Sequence, residues 1–239
     1  MKTLTTLFFI CITFSAFSQF TSVNNISNIT ESSSQAMAMV INTKEEGSKY
    51  YSGDWSFGKL EVNDTLLADK QYLIFDMQNN AIMLSTNKER KELSQKAYFF
   101  TSPQSTGFQL LNSEGEPTDY FKKISSKEFA DYGITKDYYY EVLDLENLNF
   151  IKRHIVEYVT LGSVSGFGAN KSTSKYKHQQ VYYLKDHDKY KEVKLTKSSI
   201  LKTLSTKKSE LTSFAKKQNL NFSKEEDLVK IIDYYNSLP

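Results

Sequence analysis

The residues with the most chemistry to offer are three histidines, His154, His178 and His187. Three imidazoles and one open position would suit zinc. Two of them stand in "KYKHQQVYYLKDHDKYKEVKL", residues 175–195, where lysines and tyrosines are mixed with acidic residues. His154 and Glu157 are three apart on a segment with strand character, and a strand sends such positions to opposite faces. His187 sits between Asp186 and Asp188, a triplet suited to a solvated turn. This spacing does not converge, so no metal is expected.

The same stretch could neutralise and stack on a nucleic acid, which needs both cations and aromatic faces. Against that stand the interleaved acidic residues, a net charge of only +2, and just two arginines, Arg90 and Arg153. No nucleic-acid partner is expected. Alternation in "QQVYYL" sets Val181 and Tyr183 on one face and Tyr182 and Leu184 on the other. The stretch therefore reads as a core strand running into a lysine-rich surface.

Other candidate sites fail on spacing. In "GSVSGFGANKS", from Gly162, Asn170 precedes Lys171, so the Gly-Lys pair of a phosphate loop is missing, and Lys171 occupies the third glycine position of the dinucleotide fingerprint. In "GSVSG" Val164 stands where a hydrolase elbow has its serine. The segment reads as a contact loop between two strands. Glu141, Asp144 and Glu146 are close enough in sequence to suggest a glycosidase pair. Glu141 and Asp144 are however three apart on a strand, and Glu146 falls in a turn. "DMQNNAIML" lacks the glycine and terminal glutamate of a calcium loop. The sequence thus points to no catalytic residue and to no cofactor.

What remains is an aromatic load of 16 Tyr, 16 Phe and a single Trp. Tyr50, Tyr51 and Trp55, in "KYYSGDWSF", make a candidate aromatic platform for a sugar or a protein, because such rings combine apolar area with a polar edge.

The elements that must position these residues are mostly strands. From Ala36 to Leu195 the chain alternates short apolar runs with Gly, Asn, Asp and Ser signals, the pattern of an antiparallel β domain, either a sandwich or a partly closed barrel. The runs are "AMAMVIN", "WSFGKLEV", "QYLIFDM", "AIMLST", "KAYFFT", "TGFQLL", "DYYYEVLDL", "NFIKRHIVEYV", "QQVYYLK" and "YKEVKL". Turns are expected at Asn63, at Gln78 and at Glu146–Asn147. "SKEFADYG", from Ser126, suggests one or two helical turns closed by Gly133.

From Thr196 to Pro239 the period becomes helical. "SKEEDLVKIIDYYN" offers a capping box at Ser223 and Glu226. Leu228, Ile231, Ile232 and Tyr235 follow at helical spacing and form one apolar stripe. That stripe either packs on the β domain or docks on a partner. The whole is mainly β with a C-terminal α-helical tail.

The first residues, "MKTLTTLFFICITFSAFSQ", have the layout of an export signal cleaved after residue 18, with Ser/Asn/Thr-rich residues 19–35 as a flexible arm. The apolar run is shorter than a membrane span, and no later stretch approaches one. The sole cysteine, Cys11, leaves with the signal, so no disulfide or thiol chemistry is expected in the mature chain.

Four features, taken in order, resemble a group of exported Bacteroidota proteins. They are the signal ending "SAFSQ", the start "GDWSFGKLEVND", the hairpin "YYYEVLDLENLNFIKR" and the late "VYYLKDHDKY". In that group a strand-rich body precedes a lysine-rich helical tail. The resemblance implies an envelope protein of unassigned role, and the lack of an evident C-terminal β-domain of the kind that routes cargo for release makes the periplasm the expected location. The functional expectation is a non-enzymatic protein-interaction module with a protein partner in the envelope, such as an accessory of an outer-membrane assembly, transport or secretion machine. The alternative is a carbohydrate-binding or carbohydrate-processing β-sandwich.

Overall fold

The structure is a computed structural model that describes residues 38–39, 46–85, 97–100, 105–130, 133–164, 171–186 and 188–239. The expected signal and arm, together with Arg90, His187 and residues 165–170 of the glycine-rich loop, lie outside the described residues.

Among the described residues, eleven strands form one sheet: β1 (Ala38–Met39), β2 (Ser56–Val62), β3 (Thr65–Asp76), β4 (Ala81–Leu84), β5 (Ala97–Phe100), β6 (Ser105–Leu111), β7 (Pro117–Ile124), β8 (Tyr138–Val142), β9 (Phe150–Val164), β10 (Lys171–Asp186) and β11 (Lys189–Val193). Neighbours are antiparallel, in the order β1, β5, β4, β3, β2, β6, β7, β8, β9, β10, β11. The nine from β4 to β11 are the body, and β5 and β1 extend one edge. The outermost strands do not pair with each other, so the sheet does not close.

Local chemistry fixes the turns. Asn63 and Asp64 both adopt left-handed backbone, with φ of 48° and 61°, and join β2 to β3. Asn and Asp tolerate that region, and a turn of this kind matches the twist of the strands it connects. Asp76 stays buried at the next turn by accepting from the Asn79 backbone N–H at 2.9 Å and pairing with Lys49 at 2.9 Å. Asp144 caps the β8–β9 turn by accepting from the N–H groups of Glu146 and Asn147.

Gly58 and Gly107 let the strands approach closely. A Cβ at Gly58 would lie 2.5 Å from the Gln109 carbonyl oxygen, and one at Gly107 would lie 2.6 Å from that of Phe121.

The sheet curls strongly about its concave face. Phe75 on β3 and Tyr139 on β8 have ring centroids 5.9 Å apart. Four strand steps separate β3 from β8, which in a flat sheet would be about 19 Å. Phe108 and Phe121 stack at 4.6 Å within this interior, with Leu60, Leu73 and Ile82 around them. The segment 46–51 then bridges strands that are not neighbours. The Tyr176 N–H on β10 donates to the Glu46 carbonyl, while the Met77 and Tyr51 N–H groups bond across to Lys49 and Phe75.

On the convex face Tyr140, Tyr183, Tyr190, Ile151 and Phe129 make a second cluster. Of the one or two helical turns expected over "SKEFADYG", the described residues show one, the 3₁₀ turn Ser126–Glu128, which ends at Phe129. The reason is that Phe129 is drawn into this cluster, stacking on Tyr140 and Tyr190, and its backbone bridges to Tyr190 instead of continuing a helix.

Three helices follow: α1 (Lys197–Thr203), α2 (Lys208–Lys217) and α3 (Glu225–Ser237). Thr196 caps α1 by accepting from the Ser199 N–H. The capping box at Ser223 and Glu226 does not form. Helix α3 begins at Glu225 with Lys224 as its N-cap, and Asp227 reaches back to accept from the Asn221 N–H at 2.9 Å. Leu228, Ile231 and Ile232 are buried in one cluster with Ile200, Leu204 and Leu211 of the tail and with Phe150, Leu184 and Val193 of the sheet. The tail therefore shares a core with the β body. Among the described residues, no helix is long and apolar enough to cross a membrane.

Candidate functional site

The sheet register sets a row of residues across the concave face: Leu60, Phe108, Phe121, Glu141, Lys152 and Tyr182 are successive cross-strand partners. The row begins apolar and ends ionic. Glu141 accepts from Lys152 Nζ at 3.0 Å on one oxygen, and on the other it meets His154 Nε2 at 2.6 Å and the Tyr51 hydroxyl at 3.4 Å. Lys152 also reaches Glu225 of α3 at 3.0 Å, and Tyr182 donates to that same carboxylate at 2.6 Å. Five segments of chain meet in this network.

Burial and charge set its protonation. Burial alone would push the Glu141 carboxyl up, but bonds from His154 and Lys152 outweigh it and hold the group below the usual carboxylate range. Burial raises the Tyr51 phenol, and the neighbouring charges of Glu141 and Asp119 raise it further, so it remains a donor. Tyr182 is raised by burial and by its bond to Glu225. The side chains of Glu141, Lys152 and His154 are each at most 10% exposed, and their polar atoms are bonded to one another. The network acts as a tie between sheet and tail.

A second ionic cluster lies on the opposite face. Buried Glu61 accepts from Lys122 at 2.5 Å, from the Thr106 hydroxyl at 2.6 Å and from the Tyr120 hydroxyl. Burial and the Glu61 bond push Tyr120 up to about 12.

The histidines are dispersed. His154 belongs to the Glu141 network, while His178 is exposed on β10 opposite Val156. Glu157, three residues beyond His154, is exposed and pairs in register with Lys177. Among the described residues, no group of three His, Cys, Asp or Glu side chains could hold a metal ion. Glu141 and Asp144 likewise part company, one in the ionic network and one capping a turn.

Tyr50, Tyr51 and Trp55 do not form an exposed platform. Tyr50 and Trp55 are buried, at 6% and 8% exposure, against Ile74 and Met83. Tyr51 turns the other way, into the concave interior, where its ring meets Phe121 edge-on at 4.9 Å. Leu228, Ile231 and Ile232 are buried, and Tyr235 packs at the edge of their cluster, so this stripe lies against the protein's own core.

Two features that the sequence reading missed are exposed. One is an open cleft of about 610 Å³ beside Trp55, lined by Phe57, Lys70, Tyr72 and the turn 112–115. The other is the length of the β9–β10 hairpin. Beyond Lys152, β9 is paired among the described strands only with β10, and β10 gains only a bridge to Glu46 until β11 joins it at Tyr182. The exposed polar run before "VYYL" was the available signal for that arm.

No family model, curated protein or solved structure matches the chain.

Proposed function

We propose that this is a non-enzymatic interaction protein of the cell envelope, an accessory of an outer-membrane assembly, transport or secretion machine, and that its contact element is the β9–β10 arm. One observation carries the reading: among the described residues the β9–β10 hairpin runs on past the last pairing of β9 with β8, at Lys152, and past the pairing of β10 with β11, at Tyr182, so residues 153–164 and 171–181 pair chiefly with each other while Val156 and Tyr176 still pack on the concave core. At about 3.3 Å per residue, a twelve-residue strand of this kind spans on the order of 40 Å. Ordinary hairpins stop where their sheet stops. The arm carries exposed Glu157, Tyr158, Lys177, His178, Gln179 and Gln180, and an extended edge offers backbone groups for strand addition. Glu141, Lys152 and His154, which do converge, are bonded to one another, and Lys152 ties them to Glu225 of the helical tail. The lysine-rich tail and the export-type N-terminus fit an envelope location.

The test is site-directed crosslinking in cells. Cysteine is placed singly at Glu157, at Lys177 and, as a control away from the arm, at exposed Lys217. The expected result is one discrete adduct from both arm positions and none from the control. Equal capture from all three positions, or no adduct from the arm, would overturn the assignment.

A further inference from the structure

The cleft beside Trp55 has a composition that the arm does not explain. Its floor is the aromatic row of β2 and β3, where Phe57 and Tyr72 are cross-strand partners with rings 4.7 Å apart at 80°. Trp55 closes one side, with its other flank on the core residues Ile74 and Met83. The opposite wall is the β6–β7 turn. Asn112 fixes that turn by accepting from the N–H groups of Glu114 at 3.0 Å and Glu116 at 2.8 Å, and the Gly115 N–H closes on the Asn112 carbonyl. Gly115, with φ at +88°, leaves room there for the Lys70 ammonium, which lies 2.6 Å from where a Cβ would stand. The wall is therefore set before any ligand arrives, which lowers the cost of binding.

We propose that this cleft binds a short neutral oligosaccharide. Phe57 and Tyr72, both half-buried, supply apolar surface for the C–H faces of sugar rings beside the edge of the largely buried Trp55, and Lys70, Ser113 and Glu114 on the rim supply donors and acceptors for hydroxyls. Lys70 and Glu114 are the charged lining residues, one of each sign, so the cleft has no net charge with which to select an ion. A volume of about 610 Å³ falls within the range of small-molecule sites. A peptide is disfavoured by the backbone. Strand β2 is bonded to β3 on one side and to β6 on the other, so no free edge borders the cleft for strand addition. Recognition must come from side chains, which suits a rigid polyol better than an extended chain.

Trp55 is the only tryptophan in the protein, so tryptophan emission reports on this cleft alone. The full chain is titrated with cellotriose, maltotriose, xylotriose, mannotriose and chitotriose, with trigalacturonate as the anionic comparison. A saturable emission change is expected with at least one neutral sugar. Tyr72→Ala should weaken it at least tenfold. Glu114→Gln, at an exposed turn position that cannot affect folding much, should weaken it about threefold and guards against a misfolded Tyr72 variant. The proposal falls if no neutral sugar gives a saturable change, if affinity is unaltered in both variants, or if only trigalacturonate binds. It falls equally if a mixed-charge unstructured peptide shifts the emission and the sugars do not.

Discussion

The ammonium of Lys152, on β9, lies 3.0 Å from the carboxylate of Glu225, at the first turn of the last helix. The same ammonium holds buried Glu141 at 3.0 Å, so one cation serves two carboxylates with different exposures. Glu225 is 32% exposed and Glu141 only 9%. Lys152→Met leaves the Glu141 carboxylate buried without its ammonium partner, which should cost about 3–5 kcal/mol. Glu225→Gln keeps an acceptor for Tyr182 and loses a solvent-screened pair, which should cost about 1 kcal/mol or less. Urea denaturation of the two variants checks the order, and equal costs would contradict it.

Acid should act through Glu141. Its folded carboxyl titrates below the ordinary value of 4.5, so its stabilising share is fully present above that pH and is lost as pH falls through the lower folded value. Glu141→Gln removes the titrating group while leaving Lys152 and His154 short of a charge. The variant should be less stable than wild type at pH 7, with the gap narrowing below about pH 4.5. Denaturation midpoints measured from pH 7 to acid give the answer, and a constant gap would contradict the assignment.

Asp233 on α3 should behave in the opposite sense. Partial burial, then the charges of Asp144 and Glu146, raise its carboxyl. A raised carboxyl opposes folding where it is ionised and ceases to do so once protonated. Asp233→Asn should therefore raise the melting temperature at pH 7 and leave it nearly unchanged in acid. Since Asp233 is largely solvated the gain is small, and a loss of stability at neutral pH would contradict this account.

Alternation made the strand-rich body and the helical tail legible in the sequence, because "WSFGKLEV", "AIML" and "YYYEV" bury one or both faces in apolar surroundings. Strand β7, "PTDYFKKI", was not legible. It opens on Pro117, and Tyr120 and Lys122 face buried Glu61, so an ionic contact on the outer face replaced the apolar signal. The length of β10 was hidden in the same way, since "KYKHQQ" is largely solvated although hydrogen-bonded to β9 throughout. The aromatics near Trp55 were visible as residues but not by orientation. Which of them line the cleft depends on the pairing of Phe57 with Tyr72 and on the turn at Asn112, and both arise from distant segments. The Glu141 network was equally out of reach, for it joins Tyr51, Glu141, Lys152, Tyr182 and Glu225 across the whole chain.

The final prediction concerns Ile232, which lies on the side of α3 turned to the shared core. A helix of this length is marginal alone in water, so its stripe needs a surface. The sheet provides one: Leu228, Ile231 and Ile232 are all at most 1% exposed, against Phe150, Leu184 and Val193 of the strands. Ile232→Ala leaves a cavity where the structure can collapse little, and should cost about 2–4 kcal/mol. For a chain of this size that corresponds to a fall of roughly 5–15 °C in melting temperature. Tyr235→Ala, at the rim of the same cluster, should cost less because its ring is only partly buried. Thermal melts of the isolated protein make the comparison. An unchanged melting temperature for Ile232→Ala would mean that the helix does not hold this position on the sheet, and that its stripe is free to engage another molecule.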